Sequence, residues 1–451
     1  MDNNTNDIKS GRRLSWERLI TNKRLGMEQY HSPRQTRNDF QRDYDRMVFS
    51  SPFRRLQNKT QVFPLPGSIF VHNRLTHSLE VSSVGRSLAT EIAIGLRGRH
   101  GEEGVFDYLG DIVAAACLCH DLGNPPFGHS GEKTIGSYFS ESERMRNSLK
   151  PALTPAQWSD LVNFEGNANS LRLLTHQFSG RREGGFAMTY STIASIVKYP
   201  FSSLLAGDKG KFGFFQSEQE IYRRIADDLG LWQDSEGRYV RHPLVYVVEA
   251  ADDICYQIMD IEDAHKLHVL STEEVFDVFS RYFPAGERAG RIAKLDRVSD
   301  PNEKIAFLRS SVIGRLVNAT SQEFLKSEES ILEGTYKGTL IKNMDSQTRE
   351  GYEACSALAC KKIYHAPQVA DVEIAGNKIL TYLLNELMEA VLFPDRTSSQ
   401  LLLNMVPEQY EVLSTDLYTK VQSVLDHVSG MTDIYALNLY RKLNGHSLPA
   451  V

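Results

Sequence analysis

The 451-residue sequence contains no run of about 18 uncharged apolar residues, the length that a membrane-spanning helix needs. Its first residues, MDNNTNDIKSGRR, are not followed by an apolar segment, so we expect no signal peptide. Cysteine is also scarce, because the five thiols are scattered and form no disulfide framework. These absences predict a protein of the reducing cytoplasm that has no membrane anchor.

An excess of positive charge is missing as well. The 51 Lys and Arg residues are nearly balanced by 57 Asp and Glu residues, which gives a net charge of −6. This balance argues against nucleic acid as the main substrate. Three short basic runs, at 11–13, 22–24 and 180–182, remain candidates for contacts with single-stranded DNA or effector nucleotides. Ordinary surface charge in solvent is the simpler explanation for each run.

Apolar residues recur at helical spacing along most of the chain, and no stretch alternates for long enough to build a large sheet. The sequence therefore predicts an all-α fold. Predicted helices cover 80–96, 107–119, 167–177, 244–267, 377–392 and 408–427.

The expected organisation has three parts. Proline and glycine cluster between residues 284 and 301, which suggests a boundary near the start of this region. We expect an N-terminal arm at 1–45, a helical core at 46–270 and a further C-terminal helical region at 271–451.

The pair His120-Asp121 is the most informative pair of residues in the chain. It follows the apolar run 112–119 and precedes a break at Gly123 and Pro125. An imidazole and a carboxylate are thereby placed side by side at the rim of a buried helix. One borderline and one hard ligand suit a divalent cation such as Mn, Mg, Co, Fe or Zn.

Arg74 and His77 are three residues apart, so on a helix they share one face. A guanidinium and an imidazole that point the same way suit a metal that lies next to an anionic substrate. The alternative is a surface arginine and a histidine that caps its own helix. His77 alone is weak evidence, and its weight comes from the other candidate ligands.

A tight turn after Asp121 is expected to return the chain, and with it His129, towards the end of the buried helix. Glu132 follows three residues later, so its carboxylate would keep the imidazole of His129 protonated. A charged imidazole can donate a proton to a departing oxygen, which is the role of a general acid. The alternative for His129 is a loop histidine that caps the next helix.

An acidic pair, Asp252 and Asp253, lies inside the apolar helix predicted at 244–267. Buried carboxylates are costly unless they are paired or bind a metal. We prefer Asp252 as the fourth ligand, because Tyr256 and Asp260 follow it at i+4 and i+8 on one stripe of the helix. Asp253 points about 100° away from this stripe. A helix with buried salt bridges is the alternative.

The pattern His77, His120-Asp121 and Asp252 resembles the HD superfamily of metal phosphohydrolases. Four stretches are more specific and resemble the bacterial deoxyguanosine triphosphate triphosphohydrolases. They are SPFRRLQNKTQVF at 51–63, NRLTHS at 73–78, HDLGNPPFGHSGE at 120–132 and FEGNA at 164–168. The resemblance runs from about Trp16 to Asp263 and is weaker afterwards. Many members have His where this chain has Asn124.

The resemblance implies an HD-domain helical core that cleaves a dNTP, with dGTP favoured, into a deoxynucleoside and tripolyphosphate. It implies metal ligation by His77, His120, Asp121 and Asp252, and catalysis by His129 with Glu132. Gln61 would contact the sugar with Val62 beside it, Tyr256 would pack on the deoxyribose, and Asp260 would accept from the 3′ hydroxyl. Arg74, Lys198 and Tyr199 would bind the triphosphate.

The same resemblance implies a homo-oligomer, often a hexamer, that is sometimes controlled by nucleotides at subunit interfaces. Residues 271–451 would carry oligomerisation and regulation. Two other functions remain open. One is a different HD phosphohydrolase or phosphodiesterase, although the sequence after His120-Asp121 differs from those enzymes. The other is a nucleotide-sensing or single-strand-binding protein with weak or no catalysis.

The expected sugar pocket leads to a prediction about substrate choice. Tyr256 and the segment Gln61-Val62 would leave no room for a 2′ hydroxyl, so GTP should be a poor substrate compared with dGTP. Parallel hydrolysis assays with both nucleotides measure this difference. Comparable rates for the two would contradict the assignment of the pocket.

Overall fold

The computed structural model describes residues 12–29, 36–63, 71–101, 104–295, 298–364 and 366–446. Helix covers 69% of the chain, and no strand occurs within these ranges. The predicted all-α class is therefore confirmed. Parts of the expected arm, residues 1–11 and 30–35, lie outside the described residues. None of the described helices combines the length and apolar character that crossing a bilayer requires.

Twenty-one α-helices are present in the described part of the chain. They are α1 Trp16–Leu19, α2 Asp39–Val48, α3 Ser51–Arg55, α4 Arg74–His100, α5 Leu109–Cys119, α6 Gly128–Glu141, α7 Glu143–Leu149, α8 Pro155–Val162, α9 Gly166–Thr175, α10 Tyr190–Ile196, α11 Gln219–Leu229, α12 Pro243–Lys266, α13 Thr272–Ser280, α14 Ala285–Leu295, α15 Pro301–Leu332, α16 Leu340–Asn343, α17 Ser346–Lys362, α18 Pro367–Leu392, α19 Thr397–Leu403, α20 Leu417–Ser429 and α21 Asp433–Leu443.

Helix α5 lies at the centre of the fold. It is apolar on nearly every side, and α2, α4, α10 and α12 pack around it. The contact with α4 is close at Gly85, where an added Cβ would come within 2.6 Å of the Cys117 sulfur. This approach holds the start of α4 next to the end of α5, where the two candidate histidine ligands lie.

Local hydrogen bonds define where α4 begins. The Asn73 side chain accepts from the backbone N–H of Thr76, and the Thr76 hydroxyl accepts from the backbone N–H of Asn73. This reciprocal cap satisfies two backbone donors of the first turn. Arg74 and His77 therefore lie in a well-defined first turn and share a face, as the sequence predicted.

One predicted helix is wrong in its first part. The sequence predicted a helix over 408–427, but α20 begins only at Leu417. Residues 407–414 form successive turns, in which the backbone N–H of Tyr410 bonds to Pro407 and that of Ser414 bonds to Glu411. Asp416 then caps α20 through the backbone N–H of Thr419, and this cap sets the start of the helix.

The C-terminal region packs directly on the N-terminal two-thirds of the chain. Helix α18 lies against α6, and α15 lies against α4. One hydrophobic core includes residues from Leu14 to Leu439. The boundaries at 45 and 270 remain predictions, because the packing alone does not define separate folding units.

A buried ion network joins α9 to α20. Arg172 donates to both carboxylate oxygens of Asp426 at 2.8 Å and to Glu218 at 2.7 Å. All three side chains are buried. Removing one partner of such a network leaves charges that are buried without compensation.

This network yields a stability prediction. The Arg172→Met variant should lose about 3–5 kcal/mol of unfolding free energy, because Asp426 and Glu218 would stay buried without their cation. Chemical denaturation monitored by circular dichroism measures the loss. The control is Arg144→Met, which removes an exposed pair with Glu389 and should cost less than about 1 kcal/mol. Equal denaturation midpoints for Arg172→Met and the unchanged protein would contradict the prediction.

Candidate metal centre and catalytic cleft

Three helices each bring one candidate ligand to a common point. His77 comes from the first turn of α4, His120 from the end of α5 and Asp252 from the middle of α12. One ligand atom of each residue lies within 4.8 Å of the other two. Asp252 Oδ1 is 3.1 Å from His77 Nε2 and 3.5 Å from His120 Nε2. Three donors that converge in this way can hold one divalent cation.

The orientation of His120 fits a cation in that position. Its Nδ1 lies 2.6 Å from the Cys117 carbonyl oxygen, so Nδ1 carries the proton and donates. Nε2 therefore faces Asp252, and this buried atom has no hydrogen-bond partner within the described part of the chain. A backbone acceptor on one nitrogen of the ring is the usual way to orient a histidine for metal binding through the other nitrogen.

The carboxylates create a strongly negative field at this point. Burial alone would lower the pKa of His120, but Asp121 and Asp252 outweigh it and raise the pKa to about 9. For Asp252, burial is outweighed by His120 and His77, which hold its pKa well below the usual value. A field that stabilises positive charge on His120 stabilises a metal cation at the same place.

Asp252, and not its neighbour Asp253, belongs to the cluster. Burial and the adjacent charge of Asp252 raise the pKa of Asp253 to about 7. Asp253 lies on the neighbouring face of α12, as the helical period requires. The cluster therefore contains Asp252, the residue preferred in the sequence analysis, and its role as a metal ligand stays a prediction.

Asp121 lies beside the three-ligand cluster and is outside its compact group. Its Oδ2 accepts from Arg74 at 2.8 Å, and its Oδ1 accepts from the Asn124 amide. The same Oδ1 is 3.6 Å from His120 Nε2. Arg74 is buried and is paired with this carboxylate. The role of Asp121 as a fourth ligand, and the role of Arg74 on phosphate, stay predictions.

An open cleft lies next to the cluster. It combines candidate ligand residues, four further charged side chains and a few apolar groups. Its lining residues are His120, Asp121, Asn124, His129, Glu132, Asn167, Ser195, Ile196, Lys198, Tyr199, Lys211, Val245, Val248, Glu249 and Asp252. Four predicted site residues beyond the ligands therefore share one cleft with them: His129, Glu132, Lys198 and Tyr199.

His129 lies in this cleft, but its expected pairing with Glu132 is wrong. Glu132 instead accepts from the backbone N–H of Gly166 at 2.9 Å and faces Lys211 Nζ at 3.4 Å. The His129 side chain is exposed at the mouth of the cleft and makes no hydrogen bond to Glu132. Partial burial and the charges of Arg74 and Lys211 lower the pKa of His129.

A left-handed turn precedes α6, the helix that carries both residues. Phe127 has a left-handed φ of 64°. The helix then starts at Gly128, so His129 occupies its first turn and Glu132 lies on the next turn. Both residues line the cleft, but the Glu132 carboxylate is bound by the backbone N–H of Gly166 at the start of α9. The two residues are three apart on the helix, but the Glu132 carboxylate contacts Gly166 and Lys211 and not His129.

Two lysines give the cleft its positive charge. Lys198 Nζ lies 3.1 Å from Glu249, and Lys211 Nζ lies 2.7 Å from Glu165. Burial disfavours both ammonium groups, yet these carboxylates raise the pKa of each lysine. Sequence reasoning missed Lys211 and Glu249. Lys211 lies in a glycine-rich loop without periodicity, and only the FEGNA stretch hinted that Glu165 mattered.

Two of the predicted sugar-binding residues, Tyr256 and Asp260, follow Asp252 along α12. The Tyr256 ring stacks on Tyr364 with centroids 5.8 Å apart, and the Tyr364 hydroxyl donates to Asp260 at 3.0 Å. Gln61 and Val62 are half-buried, and Gln61 Oε1 has no hydrogen-bond partner among the described residues. The four predicted sugar-binding residues do not line the cleft described above; they are Tyr256, Asp260, Gln61 and Val62. Their contact with a deoxyribose stays a prediction.

The fold and the convergent histidines and carboxylates define a class, the HD-domain phosphohydrolases. Residues 74–155 match the family model described as HD domain, and residues 343–442 match the phosphohydrolase-associated domain. HD domains bind divalent metals, which agrees with the cluster of His77, His120 and Asp252.

Whole-chain comparison defines the family more closely. A deoxyguanosinetriphosphate triphosphohydrolase-like protein of Synechocystis is 37% identical, over 96% of this chain and 100% of that protein. One of Pseudomonas aeruginosa is 36% identical, over 97% of this chain and 100% of that protein. The deoxyguanosinetriphosphate triphosphohydrolase of Yersinia enterocolitica is 28% identical, over 90% of this chain and 93% of that protein. This chain belongs to the deoxyguanosinetriphosphate triphosphohydrolase-like family.

The cluster predicts how metal binding should respond to substitution. After treatment with a chelator, addition of Mn²⁺ at about 100 times its dissociation constant should stabilise the protein by about 2.7 kcal/mol. The Asp252→Asn variant should lose this stabilisation because it removes the anionic ligand. Calorimetric melting with and without Mn²⁺ measures the effect.

Asp253→Asn is the matched control, since it makes the same chemical change one residue away and should keep the Mn²⁺ effect. If Asp252→Asn were stabilised as much as the unchanged protein, the cluster would not be the metal site.

Proposed function

We propose that this protein is a metal-dependent dNTP triphosphohydrolase with a preference for dGTP. It cleaves the bond between the 5′ oxygen and the α-phosphorus and releases a deoxynucleoside and tripolyphosphate. The observation that supports this most is the adjacency of three elements in one cleft: the candidate cation cluster, the lysines 198 and 211, and His129. The names of the relatives support the substrate class.

Charge balance in the cleft supports a polyanionic substrate. Lys198 and Lys211 are held charged by Glu249, Glu132 and Glu165, so their ammonium groups are fixed in place before a ligand arrives. A triphosphate brings several negative charges and competes with these carboxylates for the two lysines. Ammonium groups that are already in position lower the free energy needed to reorganise the site when a loose phosphoryl transition state forms.

A divalent cation held by His77, His120 and Asp252, with Asp121 as the proposed fourth ligand, would activate a water molecule and withdraw charge from a phosphoryl oxygen. The residues of the chain supply the remaining steps. Arg74 keeps the Asp121 carboxylate oriented through a 2.8 Å bond. Tyr199 lies next to Lys198 in the wall of the cleft and would contact the phosphates.

His129 is the proposed general acid for the 5′ oxygen. Its pKa is lowered by partial burial and by the positive charges of Arg74 and Lys211. A bound triphosphate would offset both charges and raise this pKa, so His129 would take up a proton from solvent when substrate binds. It would then donate that proton as the 5′ oxygen departs. Glu132 would act indirectly, by holding Lys211 and the backbone of Gly166.

The sugar would occupy the other side of Asp252. Tyr256 would pack on the deoxyribose, and Asp260 would accept from its 3′ hydroxyl in place of Tyr364. Gln61 would use its buried amide oxygen on the sugar, with Val62 beside it. These side chains would fill the space near C2′. A ribonucleotide would therefore be excluded, because its 2′ hydroxyl would have neither room nor a hydrogen-bond partner there.

The proposed oligomer and its control by nucleotides rest on the family resemblance. The proposed assembly is a homo-oligomer such as a hexamer, and the exposed apolar residues Ile374, Leu401 and Leu413 of the C-terminal region agree with it. Effector nucleotides or single-stranded DNA are the proposed further ligands. Scattered exposed apolar residues are common on monomers too, so sedimentation is the direct measurement.

The role of His129 gives a kinetic prediction. His129→Asn should lower kcat for dGTP by about 10²–10⁴-fold, because it removes the proton donor. Mn²⁺ affinity should stay unchanged. The assay follows tripolyphosphate by ion-exchange chromatography, because this product separates the proposed reaction from that of an HD phosphodiesterase.

His268→Asn is the control, since His268 is exposed beyond the end of α12 and its φ of 58° is one that asparagine tolerates. It should keep full activity. Unimpaired turnover in His129→Asn would remove His129 from the mechanism. Release of monophosphate or pyrophosphate by the unchanged protein would refute the proposed reaction itself.

A further inference from the structure

Asp433, at the start of α21, contacts two segments of the catalytic region that are far away in sequence. Its Oδ2 accepts from the backbone N–H of Thr60 at 2.8 Å, and its Oδ1 accepts from the backbone N–H of Phe127 at 3.0 Å. Thr60 precedes the proposed sugar contact Gln61, and Phe127 lies two residues before His129. The side chain is buried, so both bonds are shielded from water.

Phe127 immediately precedes α6, whose first turn carries His129. Its φ of 64° lies in the left-handed region, which costs a non-glycine residue energy unless its surroundings enforce it. The bond to Asp433 is one such restraint. The other is Gly376 on α18, where an added Cβ would come within 2.6 Å of the Phe127 ring. Both restraints come from the C-terminal region.

Neighbouring bonds tie the same loop to the end of α20. Lys59 Nζ donates to the carbonyl oxygens of Asn124 at 2.5 Å and Ser429 at 2.8 Å. Asn169 donates to the carbonyl oxygen of Gly123 at 2.8 Å and to the Ser429 hydroxyl at 3.1 Å. The loop from Gly123 to Phe127 is therefore held along its length by residues outside it.

We propose that Asp433 is a positioning residue for catalysis, which acts through Phe127 to set the direction of His129 and through Thr60 to fix the segment that carries Gln61. This inference rests on the proposed function, because it assigns a role within that reaction. Asp433 touches neither the cleft nor the cation cluster. It gives the C-terminal region a part in the chemistry that is separate from assembly.

A carboxylate suits this position for a simple reason. The two backbone N–H groups bind different oxygens of Asp433, and a carboxylate offers acceptors only. The amide of Asp433→Asn keeps the shape but turns an NH₂ group towards one of the two N–H groups. One buried donor then loses its partner, and the loop that carries Phe127 loses a restraint.

The test is the steady-state kinetics of Asp433→Asn with dGTP and Mn²⁺. We expect kcat to fall by about 10–100-fold, with a smaller change in KM and unchanged Mn²⁺ affinity, because a misdirected His129 affects proton donation more than binding. In a His129→Ala background the same substitution should cause less than about a threefold further loss, since two residues that act as one unit are not additive.

Two further variants keep the test decisive. Asp300→Asn is the control, because Asp300 accepts from two backbone N–H groups of its own helix α15 through Oδ1 alone, and an amide oxygen can keep both bonds. Its kcat should be unchanged. Gly376→Ala leaves Asp433 intact and pushes on Phe127 from α18, so it should also lower kcat and show the same non-additivity with His129→Ala. It stands in for Asp433→Asn if that variant does not fold.

The outcomes distinguish this inference from the proposed function. If the unchanged protein releases tripolyphosphate but Asp433→Asn and Gly376→Ala work within twofold of it, the positioning role is refuted alone. Equal losses in the presence and absence of His129 would also refute it, because they indicate a general structural effect. If the unchanged protein hydrolyses no dNTP, the proposed function fails and the role of Asp433 fails with it.

Discussion

The hydrogen bond from His120 Nδ1 to the Cys117 carbonyl sets the orientation of the His120 ring, and the proposed metal site depends on this orientation. It turns the other ring nitrogen away from the end of α5 and towards Asp252. The bond works because α5 is buried on all sides, so neither the carbonyl nor the ring can exchange it for water. The close contact between Gly85 and Cys117 then holds His77 at the same point. The packing of three helices and the direction of three donor atoms therefore depend on one another.

The charged side chains of the cleft also hold one another in place. Each lysine is already paired with a carboxylate, and Arg74 is paired with Asp121. Each of these charged groups already has a partner of opposite charge, and in the proposed reaction each would exchange a carboxylate for a phosphate. The pKa of His129 is lowered by the same cations. Substrate binding would thus change the protonation of His129 without any movement of the backbone.

Much of the fold and part of the site could be predicted from the sequence. The helical period identified α4, α5 and α12, and it also separated Asp252 from Asp253, because adjacent residues on a helix point in different directions. The false start of the helix at 408 shows the limit of periodicity, since turns after Pro407 carry apolar residues at similar intervals. The His129–Glu132 pairing failed for a related reason: spacing gives the face of a helix but not the partner that lies opposite it.

The remaining contacts had no local signal. Lys211 lies in a loop, and its importance follows only from the distance to Glu165. Asp433 is more than 300 residues from both of its partners. Sequence spacing cannot predict such contacts, because they depend on how α18, α20 and α21 pack against α6 and α9. The C-terminal region, which looked separable in the sequence, contacts the loop that precedes the helix of the proposed general acid.

The most direct measurement is a crystal structure of the protein with Mn²⁺ and a non-hydrolysable dGTP analogue, with the metal located by its anomalous scattering. The account predicts one Mn²⁺ at about 2.0–2.3 Å from His120 Nε2 and coordinated by His77 and Asp252, with His129 facing the 5′ oxygen of the analogue. A metal bound elsewhere, or an analogue whose 5′ oxygen lies away from these residues, would contradict it.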